Sequence, residues 1–311
     1  GPARRTRSSA AATAATRSPS PCPWEITELM AAILAPDPVG RAPRLPFCNP
    51  MRWIGVANHL CDTVGRSIRR SLQSRHRTSR IEVGHVRIAV LGTGMVGQAL
   101  AQRLAELGHE VTVGTRDVST AMSRHQPDGM GNPGFGTWAL EHPQVTVADL
   151  PDAASGADVV INATSGGSSL SALESAGEEN LAGKVLIDVA NPLDFSAGMP
   201  PTLIVKDTDS LGEQIQRAFP TVKVVKTLNT MNASVMVHPE LVGDGDHTVF
   251  ICGNDAAAKT LTVTLLTELG HTDILDLGDI TSARGVEMLL PLWLRVMGAV
   301  GTPAFQFKVV R

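Results

Sequence analysis

"RIAVLGTGMVGQALAQRLAELGHEVTVGTRD" (Arg87–Asp117) decides the fold of this chain. Its opening, with Val86, is a continuous apolar run, as a strand covered on both faces requires. The run ends in Gly92-Thr93-Gly94-Met95-Val96-Gly97, a GxGxxG that follows a strand directly and opens a helix directly. In that setting Gly92 permits a tight turn, Gly94 lets the backbone approach a pyrophosphate, and Gly97 lets helix and strand pack closely. The free N–H groups of the helix start then face the phosphates. Leu100, Leu104 and Leu107 follow on one helical stripe, and Gly108 stops the helix. "EVTVG" is the second strand.

A site for NAD commonly places an acid about twenty residues after the glycines, on the ribose hydroxyls. Here the second strand runs into Gly114-Thr115-Arg116. A hydroxyl and a guanidinium suit a 2′-phosphate, which a carboxylate would repel, so the expected cofactor is NADP(H). The competing reading makes Arg116 a solvated loop charge. Asp117 comes one position later and is expected to cap the next helix.

Working outward, strands and crossover helices alternate to the end of the chain. "DVVINAT" (Asp158–Thr164), "KVLIDVANP" (Lys184–Pro192), "VKVVKTLN" (Val222–Asn229), "HTVFIC" and "DILDL" read as strands, and "TSARGVEMLLPLWLRVMGAV" as a long amphipathic helix. The expected class is α/β: a Rossmann doubly wound parallel sheet over 85–232, with a small, mostly helical C-terminal domain over 233–311. Val286, Leu290, Trp293, Leu294 and Met297 share the final helix's apolar face, which Pro291 could kink. Ligands bind beyond the carboxyl ends of such strands, at the switch in strand order. The strand ends there are polar: Asn162, Thr164 and Ser165 with Gly166-Gly167, then Asp188, Asn191 and Pro192, then Asn229, Thr230 and Asn232. Each cluster taken alone reads as caps and turn formers; three at successive strand ends suggest a lined pocket.

Residues 1–85 hold thirteen Arg and five acids, whereas 86–311 hold fourteen bases and twenty-five acids, net −11. The acidic part argues against a nucleic-acid surface. No apolar run is long enough for a membrane span. The Arg-, Ser-, Ala- and Pro-rich segment 1–84 reads as a disordered or low-complexity extension, with an organelle-targeting peptide as the alternative. The expected location is accordingly cytoplasmic, or organellar if that segment is a transit peptide. Cys22, Cys48, Cys61 and Cys252 lack metal or disulfide spacing, and Cys252 reads as a small residue ending a buried strand. His238, His247 and His271 read as surface or packing histidines. No nucleophile–base pair stands out, which fits redox chemistry better than hydrolysis; Lys226 is the one side-chain acid that can be named.

The opening stretch resembles the F420-dependent NADP reductases. "VFICGNDAAAK" and "DLGDITSARGVEMLLPLWLRVMG" (Asp276–Gly298) resemble that family's preceding strand-turn-helix and closing segment, so the likeness covers 86–311. It implies NADP(H) on the glycine loop, a deazaflavin ring stacked on the nicotinamide, and a homodimer whose ligands are small molecules. Carried over by position, Thr93, Gly94, Met95, Val96 and Gly97 would hold the pyrophosphate, and Thr115 with Arg116 the 2′-phosphate. Ala163, Thr164, Asn191, Pro192 and Asn229 are the expected cofactor contacts at the later strand ends. Three departures stand out. The family's next base after Arg116 is replaced by Thr120, the following one being Arg124. "NATSGG" replaces an apolar-Pro-aromatic turn, and Asn229 replaces a His. "NPLDF" and "KTLNTMNA" are instead similar to bacterial relatives and, distantly, to the oxidoreductase domain of the STEAP metalloreductases, which implies FMN as a second candidate acceptor. Two rivals are a non-catalytic NADP(H)-binding redox sensor and a small-metabolite dehydrogenase.

Overall fold

The computed structural model describes residues 84–128 and 131–311. The chain divides into two units, Gly1–Thr78 and Ser79–Arg311, and every described residue lies in the second. The expectations of disorder or targeting for the N-terminal segment therefore fall outside the described residues.

Six parallel strands form most of one sheet: β1 (Arg87–Leu91), β2 (Glu110–Thr115), β3 (Thr146–Asp149), β4 (Val159–Asn162), β5 (Val185–Asp188) and β8 (Lys223–Thr227). A short antiparallel pair, β6 (Leu193–Asp194) and β7 (Thr202–Leu203), stands apart in the connection from β5 to β8. With β9 (Thr248–Gly253) and β10 (Asp273–Asp276), the order across the sheet is β10-β9-β8-β5-β4-β1-β2-β3. Strand order reverses between β1 and β4, which puts the topological switch point directly above the glycine loop.

β1 shows why the sheet is covered on both faces. Ile88 and Val90 pack on one side with Leu100 and Leu104 of α1 (Met95–Glu106). Ala89 and Leu91 pack on the other with Leu150, Ala153 and Ala154 of α4 (Leu150–Gly156), the helix that follows β3. Between these come α2 (Val118–Met122) and α3 (Phe135–Glu141). Gly108 ends the turn after α1 at φ +95°, in the region open to glycine.

The C-terminal portion differs from the sequence expectation in one respect. Beyond 233 come α8 (Ala233–Val237), α9 (Ala256–Glu268) and α10 (Ala283–Val300), but β9 and β10 hydrogen-bond into the same sheet. β9 runs antiparallel to β8 and covers an edge that would otherwise expose unpaired backbone groups. Apolar runs of this length look alike in parallel and antiparallel positions, so periodicity does not reveal the reversal. α10 continues through Pro291, with Val286, Leu290 and Trp293 buried. Cys252 lies buried in β9, and burial pushes its thiol up to about 12. Among the described residues no helix is long and apolar enough to cross a membrane.

His247 and His271 are packing residues, their rings 5.9 Å apart, while His238 is half-exposed beside Glu240. His271 donates from Nε2 to the Met236 carbonyl at 2.9 Å, and its Nδ1 is buried without a partner. Burial holds its pKa down at about 4 against an ordinary 6.5. The unfolded chain thus takes up this proton first, so stability is present above about pH 6.5 and lost as pH falls toward 4. The effect is on the order of 3 kcal/mol. Urea denaturation of His271→Gln across pH 4 to 7 should give a visibly flatter pH dependence than the parent.

Candidate functional site

A cleft of about 600 Å³ opens at the carboxyl ends of β1, β2 and β4. Gly92 sits at φ +129°, and a Cβ there would lie 2.4 Å from the Ala163 carbonyl oxygen. A Cβ on Gly97 would lie 2.0 Å from the Gly92 carbonyl oxygen, so the first turn of α1 rests on the glycine loop itself. At Gly94 a Cβ would meet nothing within 4 Å; it would project into open space where a ligand can approach. These are three separate reasons for glycine.

α1 begins after Gly94 without a side-chain cap and without an acid in its first turn. Its first internal bond is Gln98 N–H to the Gly94 carbonyl, 2.9 Å, so the N–H groups of Met95, Val96 and Gly97 lack helical acceptors. Together with the helix dipole they form an anion-binding end. The Gln98 amide holds the loop by donating to the Thr93 carbonyl at 3.0 Å. Met95, Val96 and Gly97 therefore offer backbone N–H groups, whereas Gly92, Thr93 and Gly94 line the cleft.

Thr115 and Arg116 line the same cleft at the end of β2. Asp117 is turned away into a cap: it accepts from Thr120 N–H at 2.9 Å and Thr120 Oγ1 at 2.8 Å. Those bonds hold its carboxyl below the usual carboxylate range. The acid next to Arg116 is thus committed to α2, as expected. Arg124, discounted by its sequence spacing, also reaches the cleft. Its Nη2 donates to Thr93 Oγ1 at 2.6 Å, and its guanidinium lies 5.8 Å from the Phe135 ring centroid. The Gly-rich stretch makes this possible. A Cβ on Gly136 would lie 2.0 Å from the Met122 carbonyl oxygen, and one on Gly134 would lie 2.4 Å from that of Arg124. Those two glycines are the signal that could have found Arg124.

At the other end of the cleft Ala163 and Thr164 form the wall. Behind them runs a buried polar chain. Thr164 Oγ1 donates to Asn162 Oδ1 at 2.6 Å, and Asn162 Nδ2 donates to Asp188 Oδ1 at 2.9 Å. Asp188 Oδ2 pairs with Lys226 Nζ at 2.8 Å, and Lys226 pairs again with Glu287 Oε1 of α10 at 3.0 Å. Glu287 accepts the first N–H groups of α7 (Leu211–Ala218), from Leu211 at 2.8 Å and Gly212 at 3.1 Å. Burial pulls the Lys226 ammonium down, but Asp188 and Glu287 more than offset this and leave its pKa above the ordinary lysine value. Lys226 is fully buried and cannot serve the cleft as an acid.

Asn191, Pro192 and Asn229 do not stand on the cleft wall. A Cβ on Gly166 would lie 2.2 Å from the Asn191 carbonyl oxygen and 2.7 Å from Pro192 Cα, so these two support the loop after β4. Asn229 is 2% exposed, and its amide donates to Asn191 Oδ1 at 3.1 Å and the Val286 carbonyl at 3.0 Å. The chain turns at Leu228, φ +59°, directly before Asn229, whose side chain reaches α10 rather than the cleft. It ties Asn191 to α10.

Fold and cleft define a dinucleotide-dependent oxidoreductase of the Rossmann class. The family model "NADP oxidoreductase coenzyme F420-dependent" matches residues 87–192. A crystal structure from Arthrobacter sp. FB24, provisionally named an F420-dependent NADP-reductase, is 61% identical. It covers 73% of this chain and 100% of that one, with a TM-score of 0.70. The F420-dependent NADP reductase of Methanocaldococcus jannaschii is 28% identical over 211 residues, 67% of this chain and 90% of that one. Metalloreductase STEAP3 of Rattus norvegicus is 31% identical over 214 residues, but the match spans 38% of its length. The chain belongs to the F420-dependent NADP reductase family, and it is an NADPH-dependent oxidoreductase.

Proposed function

We propose that this protein transfers hydride between NADPH and a flat ring acceptor, with coenzyme F420 as the acceptor and FMN as the second candidate. The donor set fits NADP(H): a glycine loop open at Gly94, unpartnered N–H groups at Met95 and Val96, and Thr115 with Arg116 facing the 2′-phosphate end. When bound, NADPH supplies the hydride at its nicotinamide. The protein's task is to align two rings and keep water from between them.

The observation that carries the reading is the pairing of ionisable groups behind Thr164. Among the described residues, Asp188, Lys226 and Glu287 are all buried, each carboxylate paired with the one ammonium, leaving amide, hydroxyl and apolar groups at that end. This supports ring-to-ring transfer over a dehydrogenase that needs a side-chain acid. A second groove of about 340 Å³ includes Pro201, Leu203, Met288 and Pro291, with Lys206 and Arg295 also on it. Ile204, the residue after Leu203, lies against the loop after β4, since a Cβ on Gly167 would stand 3.2 Å from its side chain. A ring acceptor with an anionic tail suits those walls. Family resemblance supports a homodimer acting in the cytoplasm.

The test mixes the protein with NADPH or NADH and with oxidised F420 or FMN, following the acceptor's visible absorbance. Bleaching of F420 by NADPH and not by NADH is the expected result. NADPH binding without reduction of either acceptor would replace this reading with the redox sensor or the small-metabolite dehydrogenase.

A further inference from the structure

We propose that Arg124 is the second cation of the 2′-phosphate subsite and sets the preference for NADPH over NADH. The inference rests on the NADPH reading above and adds a residue that sequence alignment by spacing passes over. Three observations lead to it.

The first is position. Gly92 N–H donates to the Gly114 carbonyl at 3.1 Å, so the glycine loop and the end of β2 lie side by side. Arg124 bonds Thr93 on that loop, while Thr115 and Arg116 follow Gly114 directly. Two hydroxyls and two guanidiniums thus line the one cleft. The second is availability. Arg124 pairs with no carboxylate among the described residues, and the nearby acid, Asp117, is spent on capping α2. One Arg124 donor is committed to Thr93, which leaves others for a ligand. The third is preorganisation. Phe135 lies against the guanidinium, and the Arg124 carbonyl accepts from Gly136 N–H at 2.8 Å, so both ends of the residue are held.

The chemistry calls for such a pair. A phosphate monoester carries about −1.5 to −2 charges near neutral pH, more than one arginine offsets. α2 spans five residues, Val118–Met122, and the turn after it brings Arg124 to Thr93 on the glycine loop. NADH carries two ribose hydroxyls in place of the phosphate and gains little from a second guanidinium.

The test uses binding rather than turnover. Adenosine 2′,5′-bisphosphate, AMP, NADPH and NADH are titrated into the full-length protein and into Arg124→Ala and Arg124→Lys, with melting curves as a check on folding. Arg124→Ala should weaken both 2′-phosphorylated ligands by about 10- to 100-fold, as loss of a charge-assisted hydrogen bond does. AMP and NADH should change less than about twofold, Arg124→Lys should recover part of the loss, and the difference should shrink in high salt. An equal loss for all four ligands would overturn the proposal and make Arg124 a brace for the glycine loop. Unchanged affinities would overturn it too. If the parent protein itself shows no preference for 2′-phosphorylated ligands, the NADPH reading fails and this inference fails with it.

Discussion

Gly97→Ala is expected to cost at least about 100-fold in NADPH affinity. The added methyl would sit 2.0 Å from the Gly92 carbonyl oxygen, backbone that cannot swing aside as a side chain can. α1 must then lift from the loop, carrying the Met95 and Val96 N–H groups out of reach of the pyrophosphate. The overpacking should also lower stability by about 1–3 kcal/mol. Gly94→Ala is the informative contrast. A Cβ there touches no protein atom, so its melting curve should match the parent within a degree or two, yet NADPH should bind far more weakly. Both are read by fluorescence titration beside thermal melts. Parent-like NADPH affinity in Gly94→Ala would show that the phosphates do not pass over this loop.

Lys226→Met should destabilise the protein by about 3–5 kcal/mol, the range for removing one partner from a buried charge pair. Here one ammonium serves two carboxylates, Asp188 and Glu287, both with relative exposure of 1% or less. Without it they are buried anions with weakened support, bonded to neutral amides alone. Urea denaturation of the variant beside the parent measures this. Should Lys226→Met instead keep its stability and lose only turnover, Lys226 would regain standing as a proton donor, in favour of the small-metabolite dehydrogenase.

The first third of the sheet was readable because its chemistry is local. Gly92, Gly94 and Gly97 fall within one turn, Asp117 caps a helix that starts at the next residue, and Thr115 and Arg116 stand at the end of a strand visible in the pattern. Arg124 was not readable by spacing, since its place depends on the Gly134 and Gly136 contacts that fold Phe135 against it. The partners of Asn229 were hidden for a similar reason. It follows a strand as Thr164 does, but the turn at Leu228 precedes it and its amide is taken up by α10. Glu287 escaped notice altogether: it stands 61 positions after Lys226 and looks like one polar residue on an amphipathic helix. Separations of that size are bridged by packing, which periodicity does not encode.

The Asp188–Lys226–Glu287 chain also bears on how relatives can be recombined. Its members come from β5, β8 and α10, three segments that a chimaera designer would treat as interchangeable blocks. A graft of α10 from a relative with an uncharged residue at position 287 would strand the first N–H groups of α7 and leave Lys226 with one counterion. Positions 188, 226 and 287 should therefore be exchanged together or left whole in any such graft.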